Sequence, residues 1–468
     1  MEPPKDFWFI MGEYLPPPLG LLTLAAYLEE KMVGIEIEVL DCQAEGIGWE
    51  ALTGRISSFR PDLFCPSALS SCNAFTAARA CELAKKVDPS IKTVVGGQHF
   101  SALTQESLEA YPEIDFIVRG EGERTIHGLA QALSSSSGFD SIAGLSYRGN
   151  GAILHNPPRP LITNLDDLPL PGYHFVQEHM RNYHFTMMAG SKQYALVEGS
   201  RGCDNSCTYC TQWGFWGGLC RAKSPSRIVD EMEHLHRDFD ARFLWLTDDN
   251  LGFGGRVERI CDGLIARGLS GEIIWFIQAR SDDIVNNRAL LPKMRKAGCM
   301  WVMAGLENHD PATLRSYRKT IDPSLAGEAM KLLKQNDIFS QATYIIGNRG
   351  DSRESVERLR GFAERSDPDL AIFMVLTPYP GTEVFREARE NGWIEDTNWS
   401  HYDMVHAIMP TQHLTRVELQ EELNECYRRF YGSWNRRIRG IFSPNVLKRK
   451  TYTYLAGQGL LKALEDLV

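Results

Sequence analysis

Two long stretches of the chain alternate short, strongly apolar runs with segments whose apolar positions recur every three or four residues. In the first stretch, the runs 6–11, 35–40, 63–67, 93–97 and 115–120 predict strands, and 21–31, 49–59, 74–87, 102–111 and 124–133 predict helices. These make five βα units of a doubly wound sheet. Runs as apolar as FWFI and TVVGG suit a parallel sheet covered by helices on both faces, whose ligands lie beyond the strand carboxyl ends.

The second stretch predicts strands at 194–198, 243–247, 273–278, 301–306, 341–346 and 370–376. Six such units predict a partial βα barrel with its site at the strand carboxyl ends. Between the two series, SSSSG at 134–138, NPPRP at 156–160 and LDDLPLPG at 165–172 read as linker. Beyond the barrel, Thr415 and Glu418 match a capping box opening a long helix through Arg439, and 457–467 reads as a further helix. The expected division is a first domain at 1–140, a linker at 141–190, a barrel at 191–392 and a helical domain at 393–468. The chain carries no tandem repeat of the kind that marks a solenoid.

The 468 residues, 43% hydrophobic and 24% charged, fit a folded multidomain protein and not a disordered one. Fifty basic against 60 acidic residues leave a net charge of -10, which gives no general attraction to nucleic acid or anionic lipid. No apolar run reaches the roughly 18 residues of a membrane span, and residues 1–5 carry no signal-peptide pattern. A cytoplasmic protein with no membrane span and no nucleic-acid partner is expected. The tail interleaves Arg428, Arg429, Arg436, Arg437, Arg439, Lys448, Arg449 and Lys450 with Tyr427, Phe430, Tyr431 and Trp434. Such a stretch can meet a polyanion or an acidic surface, although a solvated helix face is its commoner state.

Eleven cysteines, an odd number spread over a long chain, suit a reducing compartment. Three of them crowd into EGSRGCDNSCTYC, where Cys203, Cys207 and Cys210 form C-x3-C-x2-C after a predicted strand. Three thiolates can hold three irons of a cubane cluster and leave the fourth iron open. Zinc is the rival, with Cys220 as a fourth ligand, but the usual distant second pair is missing from the sequence. Cysteines that merely fill a core fit poorly beside Asp204, Asn205 and Ser206. Nearby Trp213, Phe215 and Trp216 suit either the wall of a substrate cavity or core packing.

With Tyr209 in the aromatic position, the loop resembles the signature of the radical S-adenosylmethionine (SAM) superfamily, C-x3-C-x-aromatic-C. The resemblance implies a 4Fe-4S cluster on Cys203, Cys207 and Cys210, with SAM chelating the open iron. Other barrel positions resemble that family's SAM contacts: Asp248 and Asp249 in TDDN, Gln278 and Arg280, Glu307 in GLE, and Gly347 in YIIG. TPYPGT at 377–382 resembles its last-strand motif.

The first domain resembles flavodoxin-like (Rossmann-type) cobalamin-binding domains in three loops: DCQAEG at 41–46, Ser67 and Leu69 in S-A-L, and Gly96 with Gly97, followed by Gln98. Gln43 stands where the family's histidine would ligate cobalt, and a carboxamide is a poor donor. The resemblance therefore implies cobalamin without a histidine ligand, which favours four-coordinate Co(I). Ser70, Cys72 and Asn73 are expected near the lower corrin face, and Tyr14, Glu121 and Gly122 at the ligand edge.

Cobalamin domain followed by three-cysteine barrel is the order of class B radical SAM enzymes, mostly methyltransferases. In the mechanism this implies, the reduced cluster cleaves SAM to a 5'-deoxyadenosyl radical, which takes hydrogen from an unactivated sp3 carbon. Methylcobalamin then supplies the methyl group and a second SAM remethylates Co(I). Oxygen sensitivity, an anaerobic setting and a low-potential electron donor follow. The overall shape resembles the archaeal enzymes that C-methylate a glutamine in methyl-coenzyme M reductase, which implies a protein or peptide substrate. Alternatives are a natural-product or hopanoid methyltransferase, a porphyrin-type ring cyclase, or a non-catalytic cobalamin sensor.

Overall fold

The computed structural model describes residues 14–149, 151–185 and 193–465, with side chains as far as residue 457. The strand expected at 6–11 lies outside the described residues. A short strand, β1 (Tyr14–Leu15), precedes a five-stranded sheet: β2 (Leu63–Phe64), β3 (Lys92–Gly96), β4 (Phe116–Val118), β5 (Leu145–Gly149) and β6 (Ala152–His155), in that order. β2, β3 and β4 are parallel. The two faces of β3 and β4 explain their unbroken apolar runs. Val95 and Ile117 pack with Ala74, Ala77 and Cys81 on one side, while Val94, Phe116 and Val118 pack with Ile126 and Leu129 on the other.

Two expectations change here. Residues 35–40 run without a strand assignment, leading into the Asp41 turn. Part of the expected linker is sheet: β5 pairs antiparallel with β4 and β6 with β5. The apolar-polar alternation of residues 145–148, with Gly-Asn-Gly following it in the sequence, suits that hairpin.

After β7 (His184–Phe185), which pairs with β1, the barrel strand β8 (Tyr194–Val197) leads to β9 (Ser200–Arg201). β9 pairs antiparallel with β10 (Arg221–Ala222), a ribbon that closes the base of the cysteine loop. The barrel continues with β11 (Phe243–Leu246), β12 (Ile274–Ala279), β13 (Cys299–Glu307), β14 (Phe339–Ile346) and β15 (Leu370–Val375). Its parallel order is β15-β14-β13-β12-β11-β8, the expected partial (βα)6 barrel.

One face of these strands, with Val197, Leu244, Ile277, Val302 and Ala342, buries against the surrounding helices. The other carries an aromatic layer, in which Phe276 and Trp301 stack at 4.2 Å beside Tyr194, Phe243 and Phe339. An open barrel has two edge strands, and tyrosine hydroxyls close both. Tyr173 donates to Leu196 O at 2.8 Å and accepts from Leu196 N at 2.9 Å on β8. On β15, Tyr427 pairs with both backbone groups of Phe373, and Tyr431 with both of Ala371.

Those two tyrosines ride on the helix Arg416–Gly432, opened by the expected Thr415–Glu418 capping box. The helix does not run on to Arg439. Extended backbone at Ser433 interrupts it and caps a separate helix, Trp434–Ile441, and a last helix spans Val446–Glu465, beginning earlier than expected. Among the described residues no helix is long and apolar enough to cross a membrane.

Candidate active site

The cysteine loop springs from Gly202, which stands at φ +85°; a Cβ there would lie 2.1 Å from Leu219 O, so only glycine permits the loop to close on the ribbon. Asn205 Nδ2 lies 3.3 Å from Cys203 Sγ, and Arg280 holds Asn205 by donating to its Oδ1 at 2.6 Å. Arg280 also grips Asp282 and the Thr320 carbonyl, so it braces the loop. Thr208 N donates to Tyr317 O at 3.1 Å and Cys210 N to Cys207 O at 3.1 Å. Burial pushes the Cys210 thiol up to about 12 and raises Cys207 too. Thiols held neutral in this way ionise against the positive charge of bound iron, which is the donor chemistry a cluster asks for. Among the described residues no three His, Cys, Asp or Glu side chains converge on a single ion position. Cysteines that bind separate corners of a cluster need not converge.

Around the loop the barrel mouth is polar. Glu307, at φ +56° where the β13 register shifts, accepts from Lys319 Nζ at 2.6 Å, Thr343 Oγ1 at 3.2 Å and the Tyr209 hydroxyl at 3.3 Å. The signature aromatic is thereby tied to the fourth strand of the barrel. Asp248 is fully buried and accepts from Gly199 N at 3.0 Å and from the Ser200 hydroxyl. It holds the segment that leads into the cysteine loop. Burial raises Asp248 to about 6, and burial followed by the neighbouring Asp248 and Glu198 charges raises Asp249 to about 7. Gln278 sits half-buried at the end of β12. A Cβ on Gly347 would meet Leu419 and Val375, so its bareness admits the helix Arg416–Gly432.

In the first domain, a Cβ on Gly97, at φ +90°, would lie 2.5 Å from Ala68 O, so the Gly-Gly turn and the S-A-L loop are built against each other. Ser67 and Leu69 flank that contact, and Leu69 is 76% exposed. A Cβ on Gly96 would meet Val118 O at 3.0 Å. Ser70 and Asn73 cap the short turn Ser71–Asn73, and Ser70 Oγ lies 2.9 Å from Cys72 Sγ. Asp41 accepts from Gln43 N and Ala44 N, both at 3.1 Å, which shapes the DCQAEG turn and leaves the Gln43 side chain half-buried.

Gln98 joins the two halves. It accepts from Thr211 Oγ1 at 2.6 Å and donates to Gln212 Oε1 at 3.1 Å, directly after Cys210. The ligand edge of the first sheet therefore abuts the cysteine loop. A cavity of about 290 Å³ beside the loop is lined by Cys207, Cys210, Trp213, Arg318, Gly381 and Arg386.

Of the three expected ligand-edge residues, Tyr14 and Glu121 make contacts between the halves, and Gly122 packs within the first domain. The Tyr14 ring packs on Phe185, Tyr194 and Trp245 in the aromatic layer of the barrel. Gly122 packs on Leu24. Glu121 accepts from Arg201 and Arg221, each at 2.8 Å, and from Ile162 N at 2.6 Å. Sequence reasoning missed Arg201, whose guanidinium also meets Glu123 at 2.6 Å and Glu198 at 2.8 Å. Its only signal was its place two residues before Cys203. Lys319 and His99 were missed as well. Burial drives His99 down to about 4, and its Nδ1 lies 3.0 Å from Ser71 Oγ.

Comparison with known proteins matches two families, one in each half of the chain. A B12 binding domain family matches residues 11–130, and the Radical SAM superfamily matches residues 197–363. The uncharacterized methyltransferase PH0819 of Pyrococcus horikoshii is 31% identical over 438 residues, 92% of each chain. The anaerobic magnesium-protoporphyrin IX monomethyl ester cyclase of Rubrivivax gelatinosus is 30% identical, covering 89% of this chain and 74% of that one. The hopanoid C-3 methylase of Methylococcus capsulatus is 26% identical, covering 96% and 79%. Among solved structures, the cobalamin-dependent SAM radical enzyme OxsB, with aqua-cobalamin and SAM bound, superposes with a TM-score of 0.72 at 17% identity, covering 95% of this chain and 69% of that one. The radical SAM methyltransferase TsrM from Kitasatospora setae, with cobalamin and a [4Fe-4S] cluster, gives 0.67 at 18%, covering 82% and 74%.

Proposed function

Because the chain belongs to the cobalamin-dependent radical SAM methyltransferase family, we propose that it methylates an unactivated sp3 carbon of a small molecule. The observation that carries this reading is the Gln98–Thr211 bridge, which sets the cobalamin edge of the first sheet against the residue after Cys210. When bound, the 4Fe-4S cluster, SAM and cobalamin supply radical generation and the methyl group. The chain's own residues bind and align them. Cys203, Cys207 and Cys210 are the thiolate donors, and Arg280 and Tyr209 fix the loop between them. Asp249, Gln278 and Glu307 face SAM in this reading, and Gln43, Ser67, Leu69 and Gly97 cradle the corrin.

The named substrates of the relatives above, a magnesium-porphyrin ester and a hopanoid, support a small-molecule substrate. The glutamine of methyl-coenzyme M reductase suggested by overall shape has no such support. Anaerobically reconstituted enzyme with methyl-labelled SAM, dithionite and methyl viologen tests the choice. Labelled product from a magnesium-porphyrin ester or a hopanoid, with an unlabelled peptide spanning the reductase glutamine, is expected. Label in the peptide reverses the substrate class, and failure to release 5'-deoxyadenosine removes the radical step.

A further inference from the structure

The helix Trp434–Ile441 packs one narrow face inward. Arg436 and Gly440 are buried: Arg436 NH1 donates to Pro368 O at 2.9 Å, and a Cβ on Gly440 would overlap the Tyr452 ring. Its outward side carries an apolar ridge. Trp434, Ile438 and Phe442 recur every four residues and are 75%, 53% and 80% exposed. At about 100° per residue they form one ridge, with Arg437 and Arg439 on its two flanks. Arg437 lies over the Trp434 ring at 5.8 Å.

Charge follows the same segregation. Residues 426–464 contain nine Lys and Arg and no Asp or Glu, in a chain whose net charge is -10. Arg429, Arg436 and Lys448 are paired with carboxylates of the barrel, and Arg428 with Glu425 on its own helix. Among the described residues Arg437, Arg439, Arg449 and Lys450 have no carboxylate partner; Arg437 and Arg439 flank the ridge, and Arg449 donates to Ser443 O beside Phe442.

We propose that this helix is an in-plane anchor that seats Trp434, Ile438 and Phe442 at the surface of an anionic lipid bilayer. A convex apolar ridge of large side chains flanked by free cations is the form that such anchors take, with the apolar side chains entering the acyl boundary and the cations meeting lipid phosphates. A second copy docked on the same ridge would bring two sets of free cations face to face. The inference is independent of the substrate and of turnover.

Flotation of the full-length holoenzyme with vesicles tests it. Binding to phosphatidylcholine–phosphatidylglycerol vesicles, weakened by salt and about tenfold stronger than to phosphatidylcholine alone, is expected. The triple change Trp434→Ser, Ile438→Ser, Phe442→Ser and the pair Arg437→Glu, Arg439→Glu should each lower that binding about tenfold, with iron content and melting temperature unchanged. Absence of flotation with anionic vesicles, or flotation unchanged in both variants, overturns the proposal. So does a dimer that the triple variant dissociates, or binding of the wild-type chain to duplex DNA in place of vesicles.

Discussion

Asp248 ties the two strands that start the barrel, and burial has a sign that can be measured. Its folded value of about 6 lies above the ordinary carboxyl value near 4, so the folded state prefers the protonated acid. That stability is fully present below about pH 4 and is lost as pH rises through 6, a swing of roughly 3 kcal/mol. Asp248→Asn keeps one acceptor for Gly199 N, and the Ser200 hydroxyl can rotate to accept from the amide. The variant is expected to flatten the fall in unfolding temperature between pH 4 and 6, as read by circular dichroism. Gln43 gives a second residue-level expectation: the Co(II) form should show no nitrogen superhyperfine splitting in its paramagnetic resonance spectrum. His99 offers no alternative ligand, being turned onto Ser71 and packed on Trp399 at 4.8 Å. The donors were legible because C-x3-C-x2-C is contiguous. Glu307's partners were not, since Tyr209, Lys319 and Thr343 come together only through the barrel.

At the scale of elements, continuous apolar runs made the six barrel strands readable to within two residues, because both faces of a parallel strand are buried. What escaped depends on tertiary contact. The β5–β6 hairpin survives in a Pro-rich neighbourhood because Asn156 Nδ2 donates to Phe139 O and Ile142 O, binding its end to the first domain. The helix after Thr415 was overextended because its apolar period runs through Gly432 and Ser433 without a proline. That helix has a specific duty toward β15. Tyr427→Phe with Tyr431→Phe would leave the N–H and C=O groups of Ala371 and Phe373 without their tyrosine partners. A loss of roughly 1–3 kcal/mol per tyrosine is expected. Hydrogen exchange should speed up at the Ala371 and Phe373 amides well before it does at Ala342, in the interior strand β14.

At the scale of the whole molecule, the cobalamin-binding and radical SAM halves are joined by a buried ion-pair network beside the cysteine loop. Burial opposes the Arg201 charge, but Glu198, Glu123 and Glu121 outweigh that penalty and hold the guanidinium firmly protonated. Arg201→Met would leave Glu121 with Arg221, whereas Glu123, which among the described residues pairs with Arg201, would be a buried charge without a cation. Breaking such a pair removes roughly 3–5 kcal/mol. Because the pair spans the two halves, the loss should also split a single calorimetric transition into two, with the first domain unfolding apart from the barrel. Glu123→Gln in the Arg201→Met background removes the orphaned charge and should recover part of the stability without restoring the bridge. Recovery of stability with the two transitions still separate would identify Arg201 as the coupling between halves. A single transition in Arg201→Met would assign that coupling instead to Gln98 and the Tyr14 contact.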